Sequence, residues 1–206
     1  MSLSNDFKEF CEDELPMTDE EWEKWENRLK EITKRLNRKY YSIDELEDEE
    51  IDNGLIVGSV GRTTAVRNVS DFDYIFSLPS EVYRRFDNYE GNGQSALLQE
   101  IKNELLKRYP NTSIKGDGQV VVIDFRDGEK IELVPAFEQS DGNFKYPDSR
   151  NGGSWKTTKP KPEIEKCKSL NSNFNNHFTN LTRLIRQWKN HMGFSFKGLL
   201  IDTLIS

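Results

Sequence analysis

Cysteine is scarce. Cys11 and Cys167 are the two in 206 residues, and they stand too far apart to share a metal-ligand spacing. That excludes a disulfide or zinc-ribbon scaffold and makes a reducing cytoplasm the expected home. Histidine is equally rare: His177 and His191 have no cysteine or carboxylate at ligand spacing, so surface or capping roles are expected rather than zinc. Cys167 lies in a charged segment with nothing in sequence to lower its pKa, which speaks against a nucleophile. Ser59 lacks a nearby histidine, so phosphate contact is a better expectation for its hydroxyl than acyl chemistry. No apolar run approaches the ~20 residues that span a bilayer, and the first residues, MSLSNDFKEF, lack a charged-then-apolar leader pattern. A Walker loop is missing, because Gly61-Arg62-Thr63 carries neither the lysine nor the glycine-rich run. Positive charge is also in deficit. With 29 Lys and Arg against 36 Asp and Glu the net charge is −7, which argues against a surface built broadly for nucleic acid. It does not argue against a nucleotide substrate, whose phosphates a divalent cation neutralises locally.

What is present centres on Asn53 to Pro79. The apolar run Leu55-Ile56-Val57 has strand length and breaks at Gly58-Ser59; a second strand is expected over Phe72 to Leu78, with Asp71 and Asp73 at its start. Residues two apart on a strand share a face, so these carboxylates lie side by side and call for a cation between them. Gly58 permits close backbone approach to a ligand, and Ser59 offers an N–H and a hydroxyl to a phosphate oxygen. Arg62, Thr63 and Thr64 are expected to start a helix facing the same anion.

Around this stretch the chain's 206 residues suggest one domain, or one and a part. Met17 to Tyr41 is predicted helical, with a Thr18/Glu21 capping box and an apolar stripe of Trp22, Trp25, Leu29, Ile32, Leu36 and Tyr40. Its basic C-terminal half reads as a solvated face in preference to a nucleic-acid contact, because its flanks are acidic; Glu45 to Glu50 is expected to be a surface connector. A polar loop follows Pro79, then a helix over Ser95 to Tyr109 ending before Pro110. Strands are predicted at Val120–Phe125 and Lys130–Phe137, joined by a two-residue Asp127-Gly128 turn. In that register Asp124 and Glu132 point to opposite faces, and the apolar character of both faces leaves open which of them joins Asp71 and Asp73. Gln139 to Pro162 reads as a long loop in which Tyr146 and Trp155 either stack on a base or pin the loop. A last helix is expected over Phe174 to Met192, followed by the apolar Leu199 to Ile205.

Gly58-Ser59, Arg62, Thr64 and Ser70-Asp71-Phe72-Asp73 fall as they do in the DNA polymerase beta-like nucleotidyltransferases. More narrowly they resemble the branch holding cGAS and the bacterial DncV-like enzymes, the CD-NTases with a SMODS-type domain. Ile131-Glu132-Leu133-Val134-Pro135-Ala136 resembles the family segment whose acid, more often aspartate, is the third metal ligand. The resemblance therefore chooses Glu132 over Asp124. Tyr146-Pro147 and Gly153-Ser154-Trp155 resemble the segment leading out of the core, and Arg186 sits where the family usually has a triphosphate-binding lysine. The family's later lysine-serine pair and glutamate are matched only in part, by Lys197-Gly198 and Asp202.

The fold this implies is α+β: a polymerase beta-like core over 1–160, with a mixed sheet, helices packed on it and the long N-terminal helix, followed over 161–206 by an incomplete helical part. The implied activity is template-independent nucleotidyl transfer from NTPs to give a cyclic di- or oligonucleotide second messenger, read by an effector protein in bacterial anti-phage signalling. Mg²⁺ or Mn²⁺ held by Asp71, Asp73 and Glu132 would be the cofactor, with Gly58, Ser59, Arg62, Thr64 and Arg186 binding nucleotide. The acidic balance speaks against a nucleic-acid activator. Rival readings are a transferase that modifies tRNA or protein, a silent nucleotide- or RNA-binding relative, and a structural fragment.

Overall fold

The computed structural model describes residues 3–43 and 53–206, so the expected connector over Glu45 to Glu50 lies outside the described residues. The chain is organised as two compact units: Trp25–Ile56 with Ser70–Pro160, and Met1–Lys24 with Val57–Val69 and Lys161–Ser206.

The first of these is a mixed sheet with helices. Its strands are β1 (Gly54–Ile56), β2 (Asp71–Ser77), β3 (Ser113–Asp117), β4 (Val120–Asp124), β5 (Lys130–Glu138), β6 (Phe144–Asp148) and β7 (Ser154–Thr158). The order is β1-β2-β5-β4-β3, with β6 on β5 and β7 on β6. The two acid-bearing strands, β2 and β5, are central neighbours and run parallel. A parallel pair needs a long crossover, and the chain between them supplies helices at Ser80–Asp87 and Gly93–Leu106. One face of β2 is apolar at every second residue: Phe72, Tyr74 and Phe76 are all buried. The long helix Asp19–Tyr41 covers that face. Within it Trp25 stacks on Phe72 at 4.7 Å, and Thr33 and Tyr74 share a buried 2.5 Å hydroxyl–hydroxyl hydrogen bond. Two of its basic residues are held by carboxylates of the same unit: Arg28 by Asp127 and Glu129, Arg35 by Glu104.

Three expectations for this unit are corrected. The hairpin register is shifted by one, since Asp124 pairs with Lys130 and Val122 with Glu132. The cause is a three-residue loop, Arg126-Asp127-Gly128, closed by Phe125 N–H to Glu129 C=O at 2.8 Å with Gly128 left-handed at φ 86°. The polar stretch after Pro79 is the amphipathic helix Ser80–Asp87, burying Val82 and Phe86. The expected long loop is the β6–β7 hairpin, and Trp155 pins it: its ring packs on Tyr83 and Phe137, and its indole N–H donates to Asp87 at 2.9 Å.

Asp148, at the end of β6, is buried and accepts from Arg150 (2.7 and 2.8 Å), Lys156 (2.6 Å) and Gln119 (3.0 Å). The Arg150 guanidinium first, then Lys156, holds this carboxyl far below the usual carboxylate range. A depressed folded pKa stabilises above the unfolded value, about 4, and the contribution is lost as pH falls below it. Asp148→Asn is therefore expected to lower the urea midpoint at pH 7 and to cost progressively less below about pH 4. Equal losses at pH 7 and pH 3 would contradict the ion-pair account.

The second unit is mainly helical: Leu3–Glu9, a π-helical turn at Phe10–Glu14, the first turns of the long helix, a short helix at Gly58–Gly61, then Pro160–Asn173, His177–Met192 and Gly198–Ile205. The capping box forms as expected, with Thr18 N–H to Glu21 Oε2 at 2.7 Å and Glu21 N–H to Thr18 Oγ1 at 3.1 Å. Gly198–Ile205 turns Ile201 inward but leaves Leu199, Leu200 and Leu204 (77% exposed) outside, and Trp188, Phe194 and Phe196 are exposed as well. Exposed apolar surface on this scale recruits partners. The 206-residue protein is expected to bind a hydrophobic dye and self-associate in sedimentation; a dye-silent monomer at all concentrations would show the patch to be closed.

Candidate active site

The acidic group is a consequence of strand register. Asp71 and Asp73 share a face of β2, opposite the apolar face that the long helix covers. On β5, Lys130 is the register partner of Asp71, and Glu132 that of Asp73. All four side chains therefore project from one face of two strands about 4.8 Å apart. Asp124, paired with Lys130, is on the same face but on β4, one strand further from β2. The expected opposition of Asp124 and Glu132 does not hold, and strand order takes its place: Glu132 neighbours Asp73, whereas Asp124 has β5 between it and β2.

The demand for a cation is met in part by the chain itself. Lys130 Nζ lies 2.8 Å from Glu132 Oε1 and 3.6 Å from Asp71 Oδ1. The Glu132 carboxylate beside it holds the Lys130 ammonium above lysine's ordinary range. Among the described residues no three or more His, Cys, Asp or Glu side chains are grouped so that they could hold a metal ion as they stand. Asp71, Asp73 and Glu132 nevertheless share one sheet face, and their carboxylate oxygens are the hard donors that Mg²⁺ or Mn²⁺ takes.

The other predicted residues lie in the helical unit. Gly58, left-handed at φ 64°, opens the turn, and Ser59 follows within the short helix. That helix starts at Gly58, so Arg62, Thr63 and Thr64 lie after it rather than beginning one; Thr63 has φ 62°. The Ser59 carbonyl accepts from Thr64 N–H at 2.8 Å and Ala65 N–H at 3.1 Å, which folds the chain back and fixes the turn. Thr64 is fully buried, its hydroxyl 3.2 Å from Asp202 and 3.3 Å from the Ser59 carbonyl. Arg62 donates through Nε to Asp202 at 2.8 Å, and Arg186 through a terminal nitrogen at 2.6 Å.

Asp202, 3% exposed, is thus the hub of three predicted nucleotide-binding residues, a role sequence reasoning gave only as a partial motif match. Its setting is consistent with the chain's departures from the resembled pattern. Arginine is bulkier than lysine, aspartate shorter than glutamate, and Gly198 leaves room, because a Cβ there would stand 2.5 Å from the Arg186 guanidinium. Lys130 was also missed. Its signal was available, since a lysine two residues from Glu132 on a strand must share its face.

The sequence pattern of the Second Messenger Oligonucleotide or Dinucleotide Synthetase domain (SMODS) matches residues 1–171. The chain belongs to this family, the cGAS/DncV-like CD-NTases. It is 21% identical over 175 residues to a probable cyclic nucleotide synthase of Bacillus cereus strain VD146, IK1_05630, covering 72% of this chain and 53% of that one. Among solved structures, CdnC of E. coli MS115-1 with ATP superposes with a TM-score of 0.67 at 21% identity, over 96% of this chain and 62% of that one. CdnE cyclic dinucleotide synthase of Elizabethkingia meningoseptica, with GTP and Apcpp, gives 0.62 at 14% identity over 87% and 67%. These likenesses establish the fold. The chain spans between half and two thirds of the lengths of CdnC and the Bacillus relative. Among the described residues no helix is long and apolar enough to cross a membrane.

Proposed function

We propose that this chain carries the catalytic region of a divalent-metal-dependent nucleotidyltransferase, which joins NTPs into a cyclic di- or oligonucleotide. The observation that carries the reading is the common face of Asp71, Asp73 and Glu132 on adjacent central strands, in a chain of the SMODS family. Those three carboxylates would hold Mg²⁺ or Mn²⁺, which when bound acidifies an attacking ribose hydroxyl and stabilises the charge on the phosphates. Asp71 and Asp73, sharing a strand, fix their carboxylates relative to each other without a loop to order. Ser59 would take a phosphate oxygen with its N–H and hydroxyl, at a turn that Gly58 makes possible. Thr64 acts on that turn from behind, by its bond to the Ser59 carbonyl. Arg62 and Arg186 are each held by Asp202, so their hold on a triphosphate would come from guanidiniums already fixed in place. CdnC of E. coli MS115-1 has been solved with ATP and CdnE of Elizabethkingia meningoseptica with GTP and Apcpp, which supports NTPs as substrates. The role that follows is second-messenger synthesis in anti-phage signalling, with a product-activated effector protein as partner.

The test is incubation with the four labelled NTPs and Mg²⁺ or Mn²⁺, then phosphatase and chromatography. A small phosphatase-resistant product supports the reading. Label retained on tRNA or protein selects the polymer-modifying alternative, and unreacted NTP with measurable binding selects a silent relative.

A further inference from the structure

Lys130 is not needed to build the sheet. Its neighbour Ile131 turns to the apolar face and is fully buried, while the Lys130 side chain is 34% exposed on the acidic one. Its ammonium stands 2.8 Å from Glu132 and 3.6 Å from Asp71, and the remaining acid, Asp73, is the register partner of Glu132. The three carboxylates of β2 and β5 with this one ammonium carry two net negative charges, the charge of one divalent cation, and Asp124, a strand further away, lies outside this group. The contact falls on Oε1 of Glu132, one of the two oxygens with which that residue could bind a metal. An oxygen that accepts a 2.8 Å bond from an ammonium is a poorer ligand for a dication, because the two positive centres would repel each other across about 4 Å.

We propose that Lys130 is a built-in counter-ion of the acidic face, and that a divalent metal binds by displacing its ammonium from Glu132. The inference rests on the metal-dependent reading above. Displacement is sterically cheap: the lysine stem is flexible, the side chain is partly in water, and its head can swing out without moving a strand. The cost is electrostatic. It lowers metal affinity and sets a higher free-metal concentration at which the site fills. Lys130 is in this sense a positioning residue, which holds the carboxylates together until the metal arrives.

The experiment is titration of the 206-residue protein with Mn²⁺ alone, followed by electron paramagnetic resonance, for the parent, Lys130→Met, Lys130→Gln, Lys130→Arg and Asp71→Asn. Melting curves check that each variant is folded, and the glutamine variant serves if the methionine one is not. Removing the ammonium that the metal must displace from Glu132, a contact between unit charges in a largely aqueous setting, should tighten Mn²⁺ binding by about fivefold in Lys130→Met or Lys130→Gln. Lys130→Arg should keep the parent's weaker affinity, and Asp71→Asn should weaken binding. Affinity unchanged or reduced in both neutral variants, with Asp71→Asn still weakened, overturns the counter-ion role and leaves the metal site standing. Absence of Mn²⁺ binding by the parent overturns both.

Discussion

Replacing Asp71 and Asp73 together by asparagine is expected to abolish NTP turnover, by at least about 10³-fold, while leaving the protein folded. Both carboxylates project from the solvent-facing side of β2, and the residues between and beyond them, Phe72 and Tyr74, carry the packing. The substitutions keep the side-chain shape and leave that core alone. Two like charges on one strand face repel, so their loss would raise the melting temperature of the metal-free protein were they uncompensated. Lys130 already offsets part of this repulsion through Asp71 and Glu132, and exposed pairs of this kind contribute only about 0–1 kcal/mol. A small change of melting temperature with complete loss of product is therefore the expected pair of results. Full activity in the double variant would falsify the metal-dependent reading.

The acid pair was legible because strand periodicity is short. Two residues apart means one face, whatever the rest of the chain does, and the structure keeps Asp71 and Asp73 on β2. The long helix was legible from its capping box and apolar stripe, both of which are local. The β4–β5 register was not. Asp127-Gly128 is a strong two-residue signal, but here Arg28, from the long helix, forks onto Asp127 and Glu129 at 2.5 Å each, and Gly128 closes a three-residue loop instead. A contact from 99 residues away accompanies a choice that the local sequence presents as settled. The strands β6 and β7 were hidden for another reason. Their residues, FKYPD and SWKTT, sit among the turn formers Asn143, Gly152 and Gly153, and it is the pairing of β6 with β5 and of β7 with β6, with Trp155 packed on Tyr83 and Phe137, that makes a sheet extension of them. The hub at Asp202 was illegible because it joins residues 140 and 16 positions apart by charge alone, with no period to announce it.

Glu132→Gln is expected to reduce the initial rate by about 10²-fold or more, whereas Asp124→Asn should change stability at most. The reason is no longer which face each occupies, since the observed register puts both on the acidic one. It is how far across the sheet each stands from the aspartate pair. Glu132 is the direct partner of Asp73 on the adjacent strand, about 4.8 Å away in backbone spacing, within reach of a shared cation. Asp124 is two strands from β2, roughly twice that distance, and Lys130 stands between it and Asp71 in the same row. Its carboxylate instead accepts from the Ser113 hydroxyl of β3, at 3.4 Å. Glu132→Gln also removes the acceptor charge of Lys130, which frees an ammonium beside Asp71 to oppose the metal; the loss should therefore deepen at low metal concentration and be partly relieved at high. Initial rates over a range of Mg²⁺ at saturating NTP, with melting curves for both variants, measure this directly. If Asp124→Asn eliminates activity and Glu132→Gln spares it, the third ligand is on β4, and the pairing of Asp73 with Glu132 has no part in the chemistry.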